Sequence, residues 1–450
     1  MKHWPKLTPP QIITLSFALM ILVGAGLLSL PAASASGKSA GFCDALFTAA
    51  SANCVTGLAV LNTKAQWSAF GKLVILALIQ LGGLGLVAVM TAGMTLIKRK
   101  VSIEGSLLIQ ASFNQDNFGG MASLAKLVVK TTLMFEGIGA VLLTLGFYFT
   151  PGTSPTRALW LGVFHAVSAF CNAGFDIIGN QGLTPFQGNY FINITLIALM
   201  VSGGLGFTVW GEIFAKPKRR FSLHAKTAIA STTVLLLSGA ILFLLFEWGN
   251  PKTLGAMPGP EKALAALFQS ATLRTCGFNT ISQGGLEPQS KLLSCLLMMV
   301  GGSPASAAGG IKTVTLCVIV FSMVSVIKGK KRIEAFGRTI PLELLQKALT
   351  VSFAMALVAL VSTFILCYTE KGLLEEFTLM DLVYESISAT GTAGLTTGIT
   401  PLLSSTGKLV ITICMFIGRL SPVTVAVSLN MKLGAESGAI SYPHEGVIIG

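Results

Sequence analysis

The sequence predicts an all-α integral membrane fold: four M1–P-loop–M2 repeats around a pseudo-fourfold pore, with eight transmembrane helices and four re-entrant pore helices. Three observations predict it. Hydrophobic residues make up 52% of the 450 residues and charged residues 11%, with a mean hydropathy of +0.76; a soluble surface of this size needs roughly twice that charge. Eight apolar segments reach the roughly 20 residues that a bilayer crossing requires. Between them lie four variations on one theme, FTAASANCVTG (Phe47–Gly57), FHAVSAFCNAG (Phe164–Gly174), LFQSATLRTCG (Leu267–Gly277) and YESISATGTAG (Tyr384–Gly394), each closing on a glycine.

The apolar segments fall into outer and inner partners. The first pair is Ile12–Leu30 and Leu73–Ile97, the second Leu127–Phe149 and Tyr190–Phe214. The third is Thr227–Phe246 and Leu292–Ile327, the fourth Leu345–Tyr368 and Leu409–Lys432. Residues 1–100 then form the first repeat, and 101–220 a cytosolic linker and the second. Residues 221–332 form the third, and 333–450 the fourth with a C-terminal tail. Pro151 and Pro341 stand at helix ends, as residues without an N–H should. The first apolar run follows only a short basic stub, but seven later segments argue for a retained helix rather than a signal peptide.

The net charge of +13 is gathered in loops. Lys98-Arg99-Lys100, Lys216-Pro217-Lys218-Arg219-Arg220 and Lys328-Gly329-Lys330-Lys331-Arg332 each follow the second apolar segment of a repeat. The positive-inside rule puts these loops and both termini in the cytoplasm. Charge spread in this way argues against a nucleic-acid partner, which needs one basic face with interleaved aromatics. Cys43, Cys54, Cys171, Cys276, Cys295, Cys317, Cys367 and Cys414 form no CxxC pair and read as small buried hydrophobes. His3, His165, His224 and His444 show no metal-ligand spacing.

The four glycine-closed stretches are too short to cross twice as helix, so they dip in and return. Non-helical backbone at lipid depth must be buried in protein or line a water-filled cavity, a demand met if the four dips face a common axis. Asp44 and Asp381, thirteen residues before their glycines, are candidate N-caps; Leu161 and Leu264 hold that position in the other two. The helix C-termini aim negative dipole ends at the centre, which favours a cation. A dehydrated K⁺ can be held there by rings of backbone carbonyls. Turning successive carbonyls inward needs left-handed dihedrals, which glycine adopts without penalty. The expected ion site is therefore Gly57, Gly174, Gly277 and Gly394, with carbonyls also from Val55-Thr56, Asn172-Ala173, Thr275-Cys276 and Thr392-Ala393.

The third inner segment contains Gly301-Gly302-Ser303-Pro304-Ala305-Ser306-Ala307-Ala308-Gly309-Gly310-Ile311-Lys312-Thr313. Proline and four glycines cannot sustain a continuous helix, so a broken helix with a flexible loop under the filter, hence a gate, is expected over 301–313. Lys312 at membrane depth strengthens that reading, because a buried ammonium is costly without a partner. Arg419, mid-span in the last inner segment, is expected to line the pathway below the filter and contact this loop when closed. Arg274, three residues before its glycine, must point behind the filter, with Asp176 or Glu385 as partner. Lys130 and Glu136, six residues apart, do not share a helix face well, and Glu212 reads as interfacial.

No nucleophile–base pair, P-loop or metal-ligand spacing suggests an enzyme. A sodium- or proton-coupled transporter is the alternative to a passive gated pathway. Coupling usually leaves midplane carboxylates or paired broken helices; here the repeats read as parallel, one inner helix reads as broken, and such carboxylates are few.

DALFTAASANCVTGL (Asp44–Leu58), SAFCNAGFD (Ser168–Asp176), RTCGFNT (Arg274–Thr280), GGSPASAAGGIKT (Gly301–Thr313), SATGTAGLTTG (Ser388–Gly398) and GRLSP (Gly418–Pro422) resemble the Trk/Ktr/HKT superfamily of potassium transporters, over nearly the whole chain. Within it the chain is most similar to the membrane subunits of bacterial Ktr systems. The resemblance implies one pseudo-fourfold K⁺ pore per subunit in the bacterial cell membrane, and pairing as a homodimer. It implies a cytosolic octameric ring of RCK/KTN-type subunits that gates the pore with ATP or ADP, nucleotides bound by that partner and not by this chain. No covalently bound cofactor is implied. Glycine at all four filter positions goes with potassium selectivity, whereas serine at the first goes with sodium in some plant members; here the first is Gly57. The resemblance also implies a gate loop at Gly301–Thr313 and a matching arginine at Arg419.

Overall fold

In the computed structural model the described residues are 7–85, 121–179, 182–215 and 220–429. Residues 86–97 of the first inner segment, the basic runs at 98–100 and 216–219, and the tail at 441–450 lie outside them. The chain is mostly helical, and one succession of helices recurs four times. A long apolar helix is followed by a short helix, a turn of extended backbone, and a helix that returns.

The long helices are Pro9–Leu28, Met121–Tyr148, Leu223–Glu247 and Leu342–Thr369. Each is apolar and long enough to cross a membrane. Local chemistry sets where they start. Thr8 and Gln11 form a capping box ahead of Pro9-Pro10, with the Thr8 amide donating to Gln11 Oε1 at 2.9 Å. Ser222 caps the third long helix, and Pro341 precedes the fourth. The short helices are Phe42–Asn53, Pro155–Phe170, Gly259–Thr272 and Leu379–Gly391. Three large apolar clusters seam the units together: one joins the first and second and reaches the third, one joins the third and fourth, and one joins the fourth back to the first.

The return helices are Ala69–Leu84, Tyr190–Gly204, Pro288–Met299 and Ser405–Leu420. Two buried glutamates at the ends of long helices anchor them. Glu247 accepts the amide of Glu287 at 2.9 Å, and Glu370 accepts that of Ser404 at 3.0 Å. Each carboxylate thus satisfies an N–H that the helix start leaves unpaired.

The return segments depart from the expectation of eight uninterrupted spans with one break. The second bends by 99° into Phe207–Ile213, and the fourth by 94° into Pro422–Leu429. The third stops at Met299 and resumes as Thr313–Ile327. Among the described residues four single helices reach spanning length, and two more do if each bent pair counts as one. One register accounts for the interruptions: Gly82-Gly83-Leu84-Gly85, Gly203-Gly204-Leu205-Gly206, Gly301-Gly302-Ser303-Pro304 and Gly418-Arg419-Leu420-Ser421. The fourth residue carries a positive φ in three cases, 79° at Gly85, 101° at Gly206 and 75° at Ser421, while the third copy has proline there. A residue of positive φ ends an α-helix; in the third copy the helix has already stopped at Met299, and Pro304 keeps the following segment from resuming it.

The first residue of that register has a second task. Gly82, Gly203 and Gly418 lie against the carbonyls of Asn53, Phe170 and Thr390, in the last turn of the short helix or just beyond it. Any Cβ there would overlap the carbonyl. A Gly203→Ala substitution should therefore destabilise the protein by about 1–3 kcal/mol, read as a lower melting temperature in detergent. Gly26→Ala, at an exposed helical site with nothing within 4 Å, should be neutral or slightly stabilising. Equal melting temperatures for the two variants would contradict the seating of short helices on glycine.

Candidate ion pathway

After each short helix the chain turns through the same sequence of backbone states. Two residues before the closing glycine it is left-handed: φ is 56° at Val55, 57° at Asn172, 66° at Thr275 and 53° at Thr392. The intervening residue, Thr56, Ala173, Cys276 or Ala393, is not. The glycine is again positive, 96° at Gly57, 66° at Gly174, 93° at Gly277 and 81° at Gly394. Alternation of this kind turns successive peptide planes so that their carbonyls share one side. For the four non-glycine residues it costs of order 1–3 kcal/mol each and persists only where the surroundings hold it. Part of the restraint is a repeated hydrogen bond. The amides of Thr56, Ala173 and Ala393 donate to the carbonyls of Ser51, Ser168 and Ser388 at 2.7–2.8 Å. Side chains add Ser51 Oγ, which accepts from Gly57 N at 3.1 Å, and Ser168 Oγ, which donates to the Phe175 carbonyl at 2.8 Å. The third copy differs: Thr272 Oγ1 donates to the Phe278 carbonyl at 2.6 Å, and the Cys276 amide bonds back to Thr272.

These four turns meet. A Cβ built on Gly57 would sit 3.2 Å from Gly174 Cα and against the Ala173 carbonyl; on Gly174, 2.7 Å from Gly277 Cα and against the Cys276 carbonyl. On Gly277 it would lie 3.2 Å from Gly394 Cα and 3.0 Å from the Ala393 carbonyl. On Gly394 it would lie 3.1 Å from Gly57 Cα and against the Thr56 carbonyl. The glycines form a closed cycle, first to second to third to fourth to first, with the carbonyl of each preceding residue at the contact. No side chain fits between them.

Beneath this cycle lies the segment 301–312. Gly301 packs beside Thr275 Cγ2 and Gly309 against the Thr392 side chain, just below the third and fourth turns. Its backbone is tied to the second return helix: Ser303 N donates to Gly204 O at 2.8 Å, Ala307 N to Gly203 O at 3.2 Å, and Phe207 N to Ala305 O at 2.7 Å. Ser303 and Thr313 share a side-chain hydrogen bond at 3.0 Å, and Lys312 Nζ donates to Ala308 O at 2.6 Å. The expected flexible loop is thus a bonded one in this conformation. Arg419 reaches it from the fourth return helix. Its Nη1 donates to the Ala307 carbonyl and its Nη2 to those of Gly82 and Gly83. One guanidinium therefore joins three units through backbone oxygens alone.

A family profile described as TrkH, a cation transport protein, matches residues 11–439. The chain belongs to this TrkH cation transport family. It is 38% identical to the potassium/sodium uptake protein NtpJ of Enterococcus hirae, over 99% of this chain and 98% of that one. It is 36% identical to the Ktr system potassium uptake protein B of Bacillus subtilis, with the same coverage. Among solved structures it resembles the potassium transporter TrkH of Vibrio parahaemolyticus, with a TM-score of 0.74 over 96% of this chain and 86% of that one, at 18% identity. The family and the apolar helices together make it a multi-pass membrane protein.

Within this TrkH-family chain, several expectations need correction. Arg274 is buried, but its partner is neither Asp176 nor Glu385. Its Nη1 and Nη2 contact the carbonyl and Oγ1 of Thr232 on the third long helix, at 3.4 and 3.3 Å. Asp176 accepts the Ile178 amide and Glu385 the Thr400 hydroxyl. Asp44 and Asp381 lie inside the first turns of their helices rather than at the N-cap; Gly41 and Thr378 hold those positions. Asp381 still caps its helix from there, accepting the Thr378 amide at 3.0 Å in a capping box, and the two aspartates also pair with Lys408 (Asp44) and Lys291 (Asp381), each at 2.7 Å. Both lysines are the fourth residue of a return helix, as is Lys72, and Asn193 takes that place in the second. That recurrence was a readable signal. Glu136 is buried and accepts from Gln80 Nε2 at 3.1 Å and Cys171 Sγ at 3.6 Å, directly behind the second turn. Glu212 accepts the Ser222 amide and hydroxyl, at 2.9 and 2.6 Å. All eight cysteines are free thiols.

The Asp44–Lys408 pair binds the first short helix to the fourth return helix. A double-mutant cycle with Asp44→Asn and Lys408→Met should give a coupling on the order of 1 kcal/mol in detergent stability, the upper part of the range for partly exposed pairs. Additive single effects would show that the two ends of the cycle close without this pair.

Proposed function

We propose that this chain is the ion-conducting membrane subunit of a potassium uptake system, and that the four glycine turns are re-entrant filter segments around one pathway. The observation that carries this reading is the closed cycle of Gly57, Gly174, Gly277 and Gly394, with backbone carbonyls and no side chains at the contacts. Carbonyl rings can replace the hydration shell of K⁺. The short helices end just before the turns, so their negative dipole ends favour a cation there. Neutral side chains at Val55, Asn172, Thr275 and Thr392 leave recognition to the backbone.

In the same reading the segment from Gly301 to Lys312, with Gly302, Ser303, Pro304, Ala305, Ser306, Ala307, Ala308, Gly309 and Gly310, is the gate, and Arg419 is its latch. The conformation described here is closed. A K⁺ brought within about 4 Å of the guanidinium meets a repulsion on the order of 4 kcal/mol at an effective dielectric of about 20. Opening requires Arg419 to leave three carbonyls at once, a change that a cytosolic nucleotide-binding ring could drive through the return helices. Such a ring, pairing of two copies, and cytoplasmic termini in a bacterial cell membrane complete the proposal. The name of the Bacillus relative, protein B of a Ktr system, supports an assembly of several subunits.

A Na⁺- or H⁺-coupled mechanism is the second reading, and two findings favour it more than the sequence did. Glu136 is a buried carboxylate behind the filter, and three return segments are interrupted rather than one. In vesicles, K⁺ flux that persists without sodium and without a pH gradient supports the passive pathway; its loss supports coupling.

Gly57→Ser should weaken discrimination of K⁺ over Na⁺ by at least tenfold, measured as relative flux in vesicles and as rescue of a potassium-uptake-deficient bacterium at low potassium. Parental discrimination in that variant would refute the filter. Arg419→Ala should raise flux in the off state, and so should deletion within 303–308; unchanged flux in both would refute the gate.

A further inference from the structure

A cavity of about 400 Å³ opens beneath the 301–312 segment, between the first turns of the first and fourth long helices. Lys312, Lys347 and Arg419 line it, together with the apolar side chains of Phe17, Val318 and Val351. Among the described residues its lining contains no carboxylate. The shortage extends beyond the wall. Of the helices that shape the cavity, Pro9–Leu28, Ala69–Leu84, Thr313–Ile327, Ser405–Leu420 and Pro422–Leu429 carry no acidic residue, and Leu342–Thr369 carries Glu343 alone, which does not line it. Three cations thus gather beside a proposed cation pathway with no carboxylate facing them among the described residues. Buried charge at membrane depth is expensive unless paired. Lys312 spends one donor on Ala308 O, and an ammonium has three. Lys347 stands exposed at the cavity mouth.

We propose that this cavity is a site for the phosphate group of an anionic phospholipid. The phosphate would sit among Lys312, Lys347 and Arg419, with acyl chain against Phe17, Val318 and Val351. A free phosphate satisfies the three cations equally well, but it leaves the apolar wall unpaired, and the wall lies between two lipid-facing helices. The bound anion supplies a counter-charge that the described residues of the lining do not, and competes with the Ala307 carbonyl for Arg419. Occupancy therefore favours release of the latch. This effect on flux rests on the pathway reading above; the binding does not.

The test uses the purified full chain. Native mass spectrometry after solubilisation from mixed phosphatidylcholine and phosphatidylglycerol should show retained phosphatidylglycerol. Lys347→Gln should weaken that retention about fivefold, the worth of one cation near an anionic headgroup. Val351→Trp, which fills the apolar wall and leaves every charge in place, should weaken it as well. Lys330→Gln, a cytoplasmic-loop lysine outside the cavity, should leave it unchanged. Equal losses in Lys347→Gln and Lys330→Gln, or no preference for phosphatidylglycerol, would overturn the site. So would displacement of the lipid by millimolar inorganic phosphate, which would mark a free-anion site. In vesicles, adding phosphatidylglycerol to phosphatidylcholine should raise K⁺ flux through the parent chain and less through Lys347→Gln. Binding with K⁺ flux that ignores the lipid would overturn the counter-charge role. Binding with no K⁺ flux in either membrane would refute the pathway reading and leave the site standing.

Discussion

The architecture depends on four stretches of backbone approaching one another with no side chain between them. Each closing glycine faces the Cα of the next and the carbonyl of the residue before it, and the cycle returns to its start. A single Cβ in the contact would push one turn off the axis. Everything outside the cycle can be understood as supplying the free energy that such crowding consumes. Carbonyl dipoles facing a common centre repel one another when no cation lies between them, and four non-glycine residues hold left-handed backbone. The restraints are local where the short helices fold back through serine hydrogen bonds. They are long-range where apolar clusters seam each unit to its neighbour. Glycines on the return helices let the ends of the short helices press in from behind.

Charge inside this fold is handled mostly by backbone oxygen. Arg419 satisfies its guanidinium on carbonyls of Gly82, Gly83 and Ala307, and Arg274 partly on that of Thr232. Lys312 turns back to Ala308. A carboxylate partner would hold such a cation more firmly, at the cost of desolvating a second charge. Carbonyl partners make a weaker clamp, and they exist in this position only because return helices and loop leave carbonyls unpaired at their ends. The breaks that interrupt the helices therefore also create the acceptors that hold the arginine. The acidic residues serve elsewhere, at helix starts. Glu247, Glu370 and Glu212 each take amides at the beginning of a helix, and Asp44 and Asp381 meet lysines of neighbouring return helices.

Much of this was legible in the sequence because glycine is informative where conformation is extreme. The four closing glycines, the short helices before them and the interruption at Gly301–Thr313 could be read from residue type and spacing alone. The partner of Arg274 could not be. Asp176 and Glu385 are its nearest candidates by chemistry, and only the folded chain shows the guanidinium turned to Thr232 while those carboxylates meet Ile178 and Thr400. The bends at Gly206 and Ser421 escaped because a run such as Tyr190–Phe214 stays apolar through its break, and hydropathy carries no record of direction. Comparing the return segments with one another exposes what hydropathy misses. Gly82-Gly83, Gly203-Gly204, Gly301-Gly302 and Gly418-Arg419 fall in one register, and Lys72, Lys291 and Lys408 in another.

That first register also explains how an almost symmetric ring acquires an asymmetric base. In the proposed pathway, an ion held by four carbonyl groups needs the units to stay alike at the turns, and there the same alternation of φ recurs in all four although the bonds that hold the third differ. A latch needs one unit to differ. The second residue of the register is glycine in three copies, where a Cβ would press on Cys171, Asn172 or Ala308; in the fourth it is Arg419, whose side chain reaches carbonyls of the first and third units. The fourth residue is proline in the third copy alone, where the helix opens into the segment that Arg419 grips. The two departures fall in neighbouring units of the cycle and meet beneath it. In the proposed reading, divergence at two positions, neither within the cycle of glycine turns, joins a closing device to a site whose crowded backbone leaves no room for a side chain.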